Sequence, residues 1–203
     1  MAGALPLRGL AQPAADDSSA ATGYRNIAPQ PVPAGDVIEL VEFFWYGCPH
    51  CARFQPYFVS WVKRQPADVL LRRVPAAFRP SWVPHARLYY ALEALGTLER
   101  YHEQVYHAYH VERVPLDSAA DIADWAEQQS MNRERWLAAY DSEDVDRKLA
   151  GDREALLRYT VTGTPSIAVD GRYLTSSGMT PGVAAMIPVL DRLVAMAREQ
   201  RVR

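Results

Sequence analysis

Apolar side chains occupy nearly every position from residue 37 to residue 46, with Glu39 and Glu42 the exceptions. A run of this kind predicts a central strand covered on both faces. Pro49 follows at a first helical turn, where its missing N–H costs nothing. The helix is expected to reach about Arg64, with Phe54, Phe58, Trp61 and Val62 on one side. Pro56 removes an internal hydrogen bond and is expected to kink it. Residues 69–74 read as the next strand.

From Pro80 to about Tyr159 the period is helical throughout. Leu88, Leu92 and Leu95 share a face, as do Ile122, Trp125 and Ala126. Start signals recur at Thr97, at Ser118 with Asp121 three residues on, at Asn132 and at Ser142. From Ser166 the period becomes that of strands. Residues 166–169, then Asp170-Gly171, then 172–175 predict a hairpin with a type I′ turn. Thr180-Pro181 is expected to cap a last helix ending near Glu199.

The order is strand, helix, strand, about 75 residues of helices, then two strands and a helix. This predicts an α/β fold: a thioredoxin fold with an inserted all-helical domain. The expected divisions are a flexible amino-terminal arm over 1–35, rich in Ala, Pro and small polar residues, with a short edge strand near its end; a first thioredoxin half over 36–79; the inserted helices over 80–145; and a second half over 146–203.

Composition narrows the function. The chain has 22 basic and 24 acidic residues, for a formal charge of −2, without a basic patch of the sort nucleic-acid binding requires. No stretch approaches the ~18 consecutive apolar residues of a membrane helix. The start, from Met1 to Arg8, lacks a charged segment followed by an apolar core. The expectation is either a cytosolic protein or an exported one whose signal has been removed.

The only two cysteines stand in Cys48-Pro49-His50-Cys51, directly after the first strand. A buried strand ending in C-x-x-C is the sequence form of a thioredoxin-like redox site. Cys48 is expected at the helix N-cap, where unpaired N–H groups and the dipole favour its thiolate, with His50 as a further donor beside it. A stabilised thiolate is a good leaving group, which makes the disulfide a strong oxidant. Cys51, one turn inside, is placed to attack a mixed disulfide on Cys48. A zinc site needs two more ligands; His102, His107 and His110 supply no second cysteine pair, so no metal is expected.

Thr164-Pro165 stands just before the hairpin, where a cis bond suits the geometry and the Thr164 backbone can pair with an extended substrate peptide. Glu42, on the same face as Leu40 and Phe44, is expected to be desolvated, with a raised pKa, and to exchange a proton with Cys51. The competing reading is a structural ion pair with Arg72 or Arg73. Trp45 and Tyr46 are expected to pack beside the site, Trp82 and His85 to rim a groove, and the Tyr and His residues of 101–110 to form the surface and core of one helix.

These features, with Val41-Glu42-Phe43-Phe44 before the motif and Gly163-Thr164-Pro165 before the hairpin, resemble the DsbA family of periplasmic thiol:disulfide oxidoreductases over about residues 36–199. DsbA is itself a familiar case of a low-pKa cysteine in a strong oxidant. The resemblance implies a nucleophile at Cys48, a resolving residue at Cys51, a cis-proline at Pro165 and a buried acid at Glu42. It implies a redox-active disulfide in place of any cofactor, a periplasmic location, and a monomer. Its partners would be unfolded or reduced exported proteins and a DsbB-like membrane protein that reoxidises the pair. Thr164 departs from the valine common before the cis-proline, a change that bears on oxidising strength. Two alternatives stand beside the oxidase. A disulfide isomerase or reductase is disfavoured by the short segment before the first strand and by Pro-His rather than Gly-Pro between the cysteines. A redox-silent, peptide-binding holdase is the other.

Overall fold

The computed structural model describes residues 22–201; the first 21 residues of the expected arm lie outside them. A five-stranded sheet with strand order β1-β5-β4-β2-β3 forms the centre. The strands are β1 (Arg25–Asn26), β2 (Ile38–Phe44), β3 (Val69–Pro75), β4 (Ser166–Val169) and β5 (Tyr173–Ser176). β2 runs parallel to β3 and antiparallel to β4, and β5 is antiparallel to both β4 and β1. All seven residues of β2 are buried, as its continuous apolar run requires.

Two helices cover one face of the sheet. α1 (Pro49–Val62) brings Phe54, Phe58 and Trp61 against Ile38 and Leu40, and α7 (Met186–Arg201) closes the same core with Leu190, Leu193 and Val194. Val41 and Phe43 point to the opposite face, where they pack with Ala155, Leu156 and Tyr159. The expected edge strand is β1, and residues beyond it stay on the sheet: the Gln30 N–H bonds to Gly171 O at 2.8 Å. Asp170 and Gly171 take the paired left-handed conformation (φ 52° and 62°) that a type I′ turn demands.

Five helices lie between β3 and β4: α2 (Val83–Ala94), α3 (Leu98–His107), α4 (Ala119–Gln128), α5 (Arg133–Tyr140) and α6 (Glu143–Arg158). Ser118, Asn132 and Ser142 cap α4, α5 and α6 by accepting the N–H three residues on. Thr97 precedes α3, but its hydroxyl bonds back to Leu92 O rather than capping. α6 is unbroken across residues 145 and 146. Its first turn packs on the helical core through Val145, and its last turns pack on the sheet.

α1 ends at Val62, close to the expected Arg64. The structure corrects the sequence at two places. The last helix begins at Met186 rather than at Thr180-Pro181, because Gly182 adopts φ 126°, outside any helix, and a short 3₁₀ turn (Val183–Ala185) intervenes. A π-helical turn, Ala108–Glu112, extends α3 where the sequence signalled nothing irregular. Among the described residues no helix is long and apolar enough to cross a membrane.

A buried acid ties two of the inserted helices together. Asp152 on α6 accepts the Tyr90 hydroxyl at 2.8 Å on each carboxylate oxygen, and burial pushes its pKa up to about 7, against opposing effects of Tyr90 and Arg72. A raised acid stabilises the fold below its unfolded pKa near 3.8, and that contribution is lost as pH rises through about 7. Asp152→Asn keeps an acceptor for Tyr90 and removes the charge. Its stability relative to the parent is therefore expected to improve by on the order of 1 kcal/mol between pH 5 and pH 8. Urea midpoints at the two pH values check this, and a pH-independent difference would refute it.

Candidate active site

β2 delivers the chain to the site, and a three-residue turn, 45–47, leads into α1. Cys48 is the N-cap of α1, with extended backbone (φ −82°, ψ 116°) and Pro49 behind it at the first helical position. Cys51 follows one turn later and is fully buried, while Cys48 is 6% exposed. Both carry free thiols. The Thr164–Pro165 bond is cis, and the Thr164 carbonyl accepts the Cys48 thiol at 3.3 Å. The structure thus brings Cys48, Cys51, Thr164 and Pro165 together from segments more than a hundred residues apart.

The two sulfurs are driven in opposite directions. Cys48 is lowered from 9.0 to about 5, chiefly by the hydrogen bond from Cys51. Partial burial opposes this; the Thr164 side chain and the backbone N–H groups of Cys51 and His50 add to it. Burial pushes Cys51 well above 9.0, and the bond and charge of Cys48 push it further. Such separation is what a nucleophile and a protected resolving thiol require.

His50 contributes differently from expectation. Its ring is exposed and Nδ1 lies 2.9 Å from Arg53 Nη2. A guanidinium can only donate, so Nδ1 accepts, and the ring is turned to Arg53 rather than to the sulfur. What His50 gives Cys48 is its backbone N–H. Pro49 is likewise exposed and serves the helix start.

Glu42 is fully buried on the face expected for it. Its carboxylate accepts Gln55 Nε2 at 2.6 Å and Arg73 Nε at 3.0 Å, across the register Glu42↔Arg73 of β2 and β3. Burial raises its pKa; the charge of Arg73 and the hydrogen bond of Gln55 act against that and do not cancel it. Both readings of the sequence therefore describe one side chain: it is desolvated and it is ion-paired. Its hydrogen bonds go to Gln55 and Arg73, and Gln55 stands one helical turn beyond Cys51.

Sequence reading missed Gln55, although a lone amide on the buried face of α1 was its signal. It placed Tyr46 beside the site but gave His102 and His110 no part in it. The Tyr46 hydroxyl meets His102 Nδ1 at 2.8 Å, and the Tyr46 carbonyl meets His110 Nε2 at 2.7 Å. Trp45 stacks on Trp82, ring centroids 3.8 Å apart. His85 is buried rather than at a groove rim, and burial lowers it to about 4.

Two outcomes follow from the sulfur environments. Thiolate absorbance of the dithiol form is expected to titrate with a midpoint about 5, and Thr164→Val, which removes a hydroxyl favouring the thiolate, is expected to raise that midpoint. Because Cys48 is depressed, its stabilising contribution is complete above about 9 and lost as pH falls through about 5. The excess stability of dithiol over disulfide should accordingly grow with pH between those limits. Paired denaturation curves test it, and a flat difference would contradict it.

The DSBA-like thioredoxin domain family matches residues 71–193, a stretch beginning after the cysteine motif. Two relatives extend the likeness across it. The thiol:disulfide interchange protein DsbA of Burkholderia cepacia is 36% identical over 176 residues, covering 86% of this chain and 82% of that protein. Its namesake from Pseudomonas aeruginosa is 34% identical over 185 residues, covering 91% and 88%. The crystal structure of Pseudomonas aeruginosa DsbA superimposes with a TM-score of 0.84 at 33% identity, over 93% of this chain and 99% of that one. By fold, by paired cysteines at the head of α1 and by these likenesses, the chain belongs to the DsbA family.

Proposed function

We propose that this protein is a thiol:disulfide oxidoreductase that donates the disulfide of Cys48 and Cys51 to folding exported proteins. The observation that carries the reading is the opposed ionisation of the two sulfurs, Cys48 lowered to about 5 and Cys51 raised. A substrate thiolate attacks Cys48 Sγ, the bond between Cys48 and Cys51 breaks, and Cys51 leaves as a thiolate that takes up a proton. A second substrate thiolate then attacks the substrate sulfur of the mixed disulfide. Cys48 leaves as a stabilised thiolate, and two electrons have passed to the pair.

In this reading Cys48 is the exchanging sulfur and Cys51 the resolving one. Pro49 and His50 shape the helix start. Thr164 and Pro165 receive the substrate backbone, and Glu42 exchanges the Cys51 proton. The disulfide is the whole redox equipment, without a cofactor. The inserted helices over 80–145 sit between thioredoxin halves over 36–79 and 146–203, with 1–35 as an arm. The working form is a monomer in the periplasm, and a DsbB-like membrane protein restores the disulfide.

The reduction potential against glutathione tests the reading directly. A strongly oxidising pair is expected; a potential in the range of reductases would assign the chain to the reducing branch. Its pH dependence is a second check. Between about 5 and 9, reduction takes up one proton for two electrons, because Cys48 stays ionised and Cys51 does not. The potential should fall by about 30 mV per pH unit there, and by about twice that below pH 5. A two-proton slope throughout would mean that Cys48 is not ionised. Glu42→Gln is expected to slow exchange by about tenfold or more without unfolding the protein. Lower stability at an unchanged rate would leave Glu42 a purely structural role.

A further inference from the structure

The turn that leads into Cys48 is gripped from outside the sheet. Within residues 45–47, the Trp45 carbonyl accepts the Cys48 N–H at 3.0 Å. The Trp45 ring lies flat on Trp82, at 4° between planes. The Tyr46 hydroxyl meets His102, and the Tyr46 carbonyl meets His110 Nε2 at 2.7 Å. Gly47 leaves no room for a Cβ against the Trp45 ring. Trp82, His102 and His110 all come from the segment between β3 and β4.

Of these three, His110 is the one bonded to backbone. A carbonyl oxygen only accepts, so Nε2 carries the proton. His110 lies in the π-helical turn Ala108–Glu112, which closes with Arg113 in the left-handed conformation (φ 61°) and with the Val114 N–H on Ala108 O at 3.0 Å. One extra residue in a helical turn rotates the residues beyond it by ~100°, and single π turns of this kind occur frequently at functional sites. Here the turn presents an imidazole, stacked on Tyr106 at 6.3 Å between centroids, to the peptide two residues before the nucleophile.

We propose that His110 is a positioning residue for thiol–disulfide exchange: its bond to the Tyr46 carbonyl holds the 45–47 turn so that the first N–H groups of α1 meet the Cys48 sulfur. The inference rests on Cys48 being the exchanging sulfur. Its effect is unequal in the two redox forms. Fixed dipoles stabilise a charge best where they need not reorganise, so the thiolate depends on the turn staying in place. The disulfide carries no charge on Cys48, and its covalent bond ties that residue to α1 without help. His110 therefore favours the dithiol and makes the pair more oxidising.

The test compares His110→Phe, which keeps a stacking ring without a donor, with His110→Gln, which keeps an N–H donor. Each variant and the parent are equilibrated with glutathione redox buffers. The equilibrium constant for oxidising glutathione is expected to fall about twofold to tenfold in His110→Phe, the range one hydrogen bond supports, with His110→Gln nearer the parent. A residue that merely supports the fold destabilises both redox forms alike and leaves the constant where it was. An unchanged constant in His110→Phe, or equal shifts in both variants, overturns the proposal. Should His110→Phe not fold, His110→Ala supplies the same comparison. A parent protein unable to oxidise glutathione would instead remove the oxidase reading, and this inference with it.

Discussion

Cys48 occupies the N-cap of α1, so its sulfur faces peptide N–H groups that have no partner inside the helix. Those groups add to the hydrogen bond from Cys51, which is the largest single stabiliser of a negative Cys48 sulfur. Cys51 is carried one turn deeper by the same helix, into full burial, where charge has no compensation. A spacing of three residues thus creates two sulfurs that can touch and yet ionise far apart in pH, one near 5 and the other well above 9.0. The hydrogen bond from Cys51 does most of it for Cys48, with Thr164 and the first N–H groups of α1 adding to it, and burial does most of it for Cys51.

The helices between β3 and β4 belong to the site as much as the sheet does. Phe44, Tyr46, Cys48 and Cys51 lie in the same apolar cluster as Leu88, Val105, Ile122 and Trp136 from those helices. The thioredoxin half supplies the cysteines, and the helical half buries Cys51. A surface mutation in the helices would leave this untouched; loss of packing at Leu88 or Val105 would reach the sulfurs by loosening the burial on which the Cys51 thiol depends.

What the sequence made legible was local. The unbroken apolar run of β2, the Asp-Gly turn, three helix caps and the paired cysteines each rest on residues within a few positions of one another, so pattern and propensity suffice. What it hid was set by tertiary neighbours. The His50 ring turns to Arg53, one helical turn away, and leaves the sulfur to the backbone. The π turn at residues 108–112 has no composition of its own, and its contact, Tyr46, is more than sixty residues distant. Thr180-Pro181 looked like a helix start, but Gly182 takes a backbone conformation that delays the helix to Met186. Glu42 fell between these cases. Its burial was readable from the strand, and its partner Arg73 was one of two candidates that only the register of β2 and β3 could separate.

Glu42 also shows why burial alone does not explain the site. A carboxylate removed from water costs several kcal/mol, and a single cation seldom repays it in full. Here burial outweighs both Arg73 and Gln55, so the pair holds its proton more readily than a surface pair would. Such a group is a poor choice for stability, because well-packed apolar residues at the same positions would serve the fold as well. It is a good choice for a site in which a departing thiolate must be neutralised away from water. Gln55 is bonded to Glu42 and stands one turn beyond Cys51 on the same helix. A carboxyl whose pKa is raised by burial, bonded to a side chain one turn beyond Cys51, is in keeping with the proton transfer proposed for Glu42.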